Sequence, residues 1–247
     1  MKKHDILKKI GLGLAISALA ACQASAIVAY NTPTGANVDA TGVQNSGGPY
    51  ILGNEFNVNS AISVTAIGAF NYSGTGFSSP VQVAIYQLLS GTWTQVGGTA
   101  VAFSGSYSPS SYVGGNVFST LGSSVTLGLG TYAIVAANYG TAANPDWNSG
   151  YNTPTPANQR PTFNGGGVIS MPTGVETAFY SSGSTLGGTL SGLTTGNWGS
   201  PTYPAFGAGT FEFNLTAVPE ADKFAIAAVS MLGLVFIGRN LVPRRSY

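Results

Sequence analysis

Between Ile27 and Ala217 the chain contains no cysteine, no histidine and no lysine, and Arg160 is the only base. The sole cysteine, Cys22, and the sole histidine, His4, both precede that body. These absences exclude much chemistry. Ser-His-Asp, Cys-His and lysine-based nucleophilic schemes lack their base or nucleophile. A zinc centre lacks the His and Cys ligands it takes in nearly all cases. The body cannot form a disulfide, but at roughly 190 residues it can bury a core without one. Charge is also scarce. Asp, Glu, Lys and Arg make up 7% of the chain, against about 25% in a typical soluble domain. Five acids in the body (Asp39, Glu55, Asp146, Glu176 and Glu212) face one base, a formal net charge of −4. One cation cannot neutralise a run of phosphates, so no nucleic-acid partner is expected. The body also has no apolar run of the ~20 residues that a membrane helix needs. We expect it to be non-catalytic, with no cofactor and no metal.

Gly, Ser, Thr and Asn stand where charges would be, and apolar residues recur with period two, the signature of strands. Ile62, Val64 and Ala66 alternate with Ser63 and Thr65. Val81, Val83 and Ile85 alternate with Gln82 and Ala84, and Phe211 and Phe213 with Glu212 and Asn214. Thr131 to Ala137 is a nearly continuous apolar run, which predicts a central strand. Further strands are predicted over Ile51–Val58, Thr92–Phe103, Asn116–Leu127 and Val175–Tyr180. Gly47-Gly48, Gly97-Gly98, Gly114-Gly115 and Gly187-Gly188 supply the positive φ that tight turns require. The expected fold is all-β, an antiparallel sandwich or jelly roll. Gly140 to Gly167, with prolines at 145, 154, 156 and 161, reads as a long loop across one end.

The two ends differ from the body. Lys2, Lys3, Lys8 and Lys9 precede the apolar stretch Ile10–Ala21, and Ala24-Ser25-Ala26 follows with small residues at both flanking positions. This is the layout of a secretory signal helix, with cleavage after Ala26 and a mature start at Ile27. The implied partners are the Sec translocon and signal peptidase. Leu19-Ala20-Ala21-Cys22 resembles a lipobox, and on that alternative Cys22 would carry lipid. At the far end Val218-Pro219-Glu220-Ala221-Asp222 precedes an uncharged apolar run from Phe224 to Gly238, then Arg239, Arg244 and Arg245. As a helix that run would be about 22 Å long, short of the ~30 Å hydrocarbon core. Its arginines would stay cytoplasmic. The order of these three features resembles the PEP-CTERM sorting domain, although Ala221 replaces the second proline of the motif. The resemblance implies processing by exosortase and an association with exopolysaccharide and biofilm. Leu52–Val58 followed by Ile62–Gly68 is also similar to the opening of a β-sandwich domain that often precedes such tails. The expected organisation is therefore a signal peptide over 1–26, a β body over 27–217 and a sorting segment over 218–247. The expected location is the cell envelope, outer surface or exterior, with membrane contact through 224–238 before processing.

Candidate functional residues in the body are few. Trp147, Tyr151, Trp198 and Tyr203 sit in Pro/Gly-rich segments, where aromatic faces either stack on sugar rings or cover the open ends of the core. A carbohydrate-binding module is thus one alternative to a structural surface protein. A glycan hydrolase working with two carboxylates is another, although no two body acids share a short motif. Calcium held by Asp39, Asp146 or Glu55 with backbone carbonyls lacks the Asp-x-Asp-x-Asp spacing. Asn71-Tyr72-Ser73 and Asn214-Leu215-Thr216 match the glycosylation sequon by chance.

Overall fold

A computed structural model describes residues 25–31, 43–44, 47–108, 111–148, 163–170, 178–191, 194–195 and 206–216. The chain divides into two compact units, Met1–Leu215 and Thr216–Tyr247, and every described strand belongs to the first. In chain order these are β1 (Ile27–Val28), β2 (Val43–Gln44), β3 (Tyr50–Val58), β4 (Ile62–Phe70), β5 (Gly76–Leu89) and β6 (Thr92–Gln95). Next come β7 (Val101–Ser106), β8 (Tyr112–Val113), β9 (Asn116–Leu127), β10 (Gly130–Tyr139), β11 (Asp146–Asn148) and β12 (Ile169–Ser170). The series closes with β13 (Ala178–Ser182), β14 (Thr189–Leu190), β15 (Thr194–Thr195), β16 (Phe206–Gly207) and β17 (Gly209–Leu215). All their pairings are antiparallel. The all-β expectation therefore holds for the described residues. The two terminal helices fall outside them, as do Ala24, Cys22, the sorting motif and its arginines.

Three sheets result. One has the order β1-β17-β4-β9-β8, a second β14-β6-β5-β10-β3-β13-β15 with β7 and β12 added, and a small third β16-β11-β2. The first two present apolar faces to a shared core, a sandwich-like arrangement. Leu52, Phe56 and Val58 of β3, Val83 and Ile85 of β5, and Ile134 and Ala136 of β10 belong to the same cluster as Ile62, Val64, Ile67, Phe211 and Phe213. The Phe56 and Phe211 rings meet across it with centroids 4.9 Å apart. Gly209 permits the close approach, since a Cβ there would stand 3.0 Å from both Ile134 and Val83. Tyr139 Oη donates to the Phe70 carbonyl at 2.8 Å, tying one sheet to the other.

The central strand is β10, between β5 and β3 as its apolar run predicts. Its stretch Tyr132–Ala137 is apolar because both of its faces are covered. Its alternate residues Ala133, Val135 and Ala137 join Ile51, Ala84, Tyr86, Phe179 and Leu190 in a second core on the outer face. That core is roofed by the chain from β13 to β14. The strap leaves β3, where Phe179 pairs with Gly53, and reaches β6, where Leu190 pairs with Trp93. Phe179 and Trp93 meet with ring centroids 5.7 Å apart. A Cβ on Gly53 would collide with the Phe179 ring, which would have to shift to admit one. Burying a phenylalanine here contributes about 2–3 kcal/mol.

Two expectations need correction. The predicted strand over Thr92–Phe103 is two strands, β6 and β7, because Gly97-Gly98 opens a turn between them. Thr99 bridges the gap: its Oγ1 accepts the Ile85 N–H at 3.1 Å and lies 2.7 Å from the Val96 carbonyl. The predicted loop over Gly140–Gly167 contains strand β11, held between β2 and β16. Of the strand predicted over Val175–Tyr180, the described part is Ala178–Tyr180 in β13.

Candidate functional site

Two places among the described residues gather polar groups into candidate sites. The first lies where β10 ends. Asn138 adopts φ 71°, and the register slips between Ala137 and Tyr139. Asparagine tolerates that left-handed backbone, and its Nδ2 holds the Pro80 carbonyl at 2.7 Å. Gly140, at φ 77°, then turns the chain, and its N–H reaches the Asn144 carbonyl at 3.0 Å. The Asn144 amide donates to the carbonyls of Ser79 and Asn138, both at 3.0 Å. This brings Asp146 into β11 with its side chain turned inward. A Cβ on Gly140 would strike the Tyr50 ring and stand 3.6 Å from Asp146 Oδ1.

Asp146 is 0% exposed, and among the described residues neither carboxyl oxygen has a hydrogen-bond partner from another residue. Burial pushes its pKa up to about 7, an effect its own backbone N–H partly offsets. At neutral pH the carboxyl is thus poised between its two forms. It can hold or release one proton, but general acid–base catalysis on a glycan needs a second acid on the other side of the bond. Glu55 and Glu212 do not supply one. Glu55 alternates with inward Asn54 and Phe56 and so lies on the outer face of the nine-stranded sheet. Glu212 alternates with inward Phe211 and Phe213 on the outer face of the five-stranded sheet. The shared core lies between them. Burial raises the pKa of each. Five residues of β3, about 17 Å at strand rise, part Glu55 from Tyr50, the neighbour of Gly140. No group of three His, Cys, Asp or Glu suited to a metal occurs among the described residues. Asp39 and Glu176 lie outside them.

The second place is a cleft under the strap. Leu186 N–H donates to Gln82 Oε1 at 2.8 Å, and Gln95 N–H to the Gly188 carbonyl at 2.8 Å. Tyr86 Oη donates to the Gly187 carbonyl, and burial pushes that hydroxyl up to about 12, so it stays a donor. Between the strap and the β6–β7 break lies a cavity of about 310 Å³ lined by Gln82, Val83, Gln95, Ala100, Val101, Ala102 and Leu186. Its size sits at the lower end for small-molecule sites. None of these residues is charged. Gln82 Nε2 remains able to donate, and Gln95 adds a second amide on the same outer face. Such a lining suits a neutral, hydroxyl-bearing ligand.

The four aromatic residues expected to bind sugar do not define this cleft. Trp147 belongs to β11, paired with Val43 and Gly207. Tyr151, Trp198 and Tyr203 lie outside the described residues. Sequence reading passed over Gln82 and Gln95 because each is an ordinary polar residue of an alternating strand. The Gly-Gly-Thr interruption at 97–99 was the signal that the sheet opens beside them. The chain matches no protein-family model and no curated protein.

Proposed function

We propose that this protein is an exported, non-catalytic component of the cell surface or extracellular matrix. A signal peptide delivers it, and the C-terminal segment of the PEP-CTERM type sorts it, with exosortase as processing partner. The observation that carries this reading is the order of three features over 218–247: Val218-Pro219-Glu220, the apolar run Phe224–Gly238, and Arg239, Arg244 and Arg245. The body agrees with it. It is an antiparallel β structure with few charges, whose described carboxylates stand apart, and such a domain can scaffold or adhere in a polysaccharide matrix. Intact-mass analysis of the protein isolated from its own cells tests the reading. A mass starting at Ile27 and lacking Phe224–Tyr247 is expected. A mass retaining that segment replaces sorting with permanent anchoring, and a diacylglycerol adduct on Cys22 replaces the ordinary signal peptide with a lipoprotein signal.

The cleft under the strap favours a second reading, a carbohydrate-binding β-sandwich module. Titration with neutral oligosaccharides would show saturable binding that Gln82→Ala and Gln95→Ala together abolish. Binding lost with Trp147→Ala but kept in the glutamine variants would move the site to the aromatic segment.

A further inference from the structure

The exposed apolar side chains are not spread evenly over the body. Among the described residues seven large hydrophobic side chains are exposed: Tyr72, Leu88, Leu89, Val113, Leu129, Phe163 and Leu215. Strand register places the four leucines at one end. In the nine-stranded sheet β10 begins at Gly130, opposite Val58, while Tyr132 faces Gln87. Two residues further along, the Leu88–Leu89 end of β5 therefore lies beside the Leu129 turn. In the other sheet Leu215 pairs with Ile62, and Ile62 with Leu127, which leads into the same turn. Tyr72 and Val113 lie at the opposite end, near the Phe70–Asn116 pair.

Isolated exposed leucines are ordinary. Four gathered at one end are not: Leu88, Leu89 and Leu215 close their strands, and Leu129, in the turn before β10, is 73% exposed. The described chain segments at this end, 58–62, 88–92, 127–131 and 163–169, contain no Asp, Glu, Lys or Arg. It is also the end from which the chain leaves. Leu215 is the last residue of β17, and the apolar run begins nine residues later at Phe224. At no more than about 3.5 Å per residue, that tether spans at most ~30 Å. If the run enters a bilayer, the leucine end is held at high local concentration beside the lipid surface.

We propose that this end is a membrane-interface surface, with Leu88, Leu89, Leu129 and Leu215 entering the headgroup–acyl boundary of the leaflet into which the tail inserts. The inference rests on the reading of 224–238 as a membrane segment. The described segments of this end carry no cation, and the body carries a formal −4. Its seat is therefore apolar insertion and not attraction to anionic lipid, and it is insensitive to salt.

The test uses the chain from Ile27 to Tyr247, which has no cysteine, reconstituted in phosphatidylcholine vesicles containing a lipid-borne quencher at shallow depth. Single cysteines carry a fluorophore at Gly128 beside Leu129, at Ser73 on the opposite end, or at Val229 in the tail. At least twofold quenching at Gly128 and Val229, with none at Ser73, is expected in both low and high salt. Leu89→Asp with Leu129→Asp should return Gly128 to the Ser73 level while Val229 stays quenched. Quenching at Val229 with Gly128 no different from Ser73 overturns the inference alone. No quenching at Val229 overturns the tail reading and the inference with it. Equal quenching at Gly128 and Ser73 means indiscriminate adsorption, and self-quenching at Gly128 that rises with protein density means that a second copy covers this end. Either result overturns the proposal.

Discussion

Asp146→Asn should make the body more stable at neutral pH, although it removes a native carboxyl. The unfolded chain titrates this group near the ordinary value of 3.8, whereas burial raises it to about 7 in the fold. Between those values the unfolded state releases the proton and the folded state keeps it, so the folded state binds more protons and stability falls as pH rises. The contribution is full below about pH 4, is lost progressively, and is gone above about pH 7. A separation of roughly three units, at 1.36 kcal/mol each, sets a ceiling of about 4 kcal/mol. Asparagine matches the protonated carboxyl in size and cannot ionise, so its variant escapes the loss. Urea denaturation of a chain ending at Ala217, from pH 4 to pH 8, measures this. Wild type and variant should agree to within about 1 kcal/mol at pH 4 and separate, variant above, toward pH 8. Glu55 and Glu212 are also raised by burial and lose stability in the same direction. They are common to both proteins and cancel in the difference. Parallel pH profiles, or a variant less stable at pH 8, would refute the claim that Asp146 is buried without a partner from another residue.

Three further substitutions probe the sheets and the strap. Thr99→Val keeps the shape but leaves the buried Ile85 N–H without its acceptor, and should cost about 1–3 kcal/mol in urea denaturation. Phe179→Ala removes the side chain that covers Gly53 and meets Trp93, and should cost about 3–5 kcal/mol. It should also speed amide exchange at Leu186, whose N–H bond to Gln82 closes the strap, and unchanged exchange there would show that the strap is held elsewhere. Gly140→Ala places a Cβ on a φ of 77° and against the Tyr50 ring, so a lowered melting temperature with intact β-type circular dichroism is expected.

Alternation made β4, β5 and β17 legible in the sequence, because which face a strand residue occupies is a local property with period two. The continuous apolar run of β10 even announced its central place, since only a strand covered on both faces can be apolar on both. The chemical exclusions were likewise complete in the composition: a body without histidine, cysteine or lysine lacks those groups in any fold. The split of β6 from β7 was half visible in Gly97-Gly98. The hydroxyl of Thr99 that repairs the ladder was not visible, since its partner Ile85 is 14 residues away.

Burial against water was decided by tertiary structure. Asp146 looks like any loop acid until Gly140 and Tyr50 close over it, and its pKa follows from that enclosure. Gln82 becomes part of a cleft because Leu186, 104 residues distant, bonds to it. Leu89, Leu129 and Leu215 share one end because strand register brings three separate segments there. The sequence by itself thus determined which side chains are present and how each strand divides into two faces, because both are set residue by residue. The fold decided which of those side chains lose their water and which share a surface, because that depends on partners that chain order does not reveal.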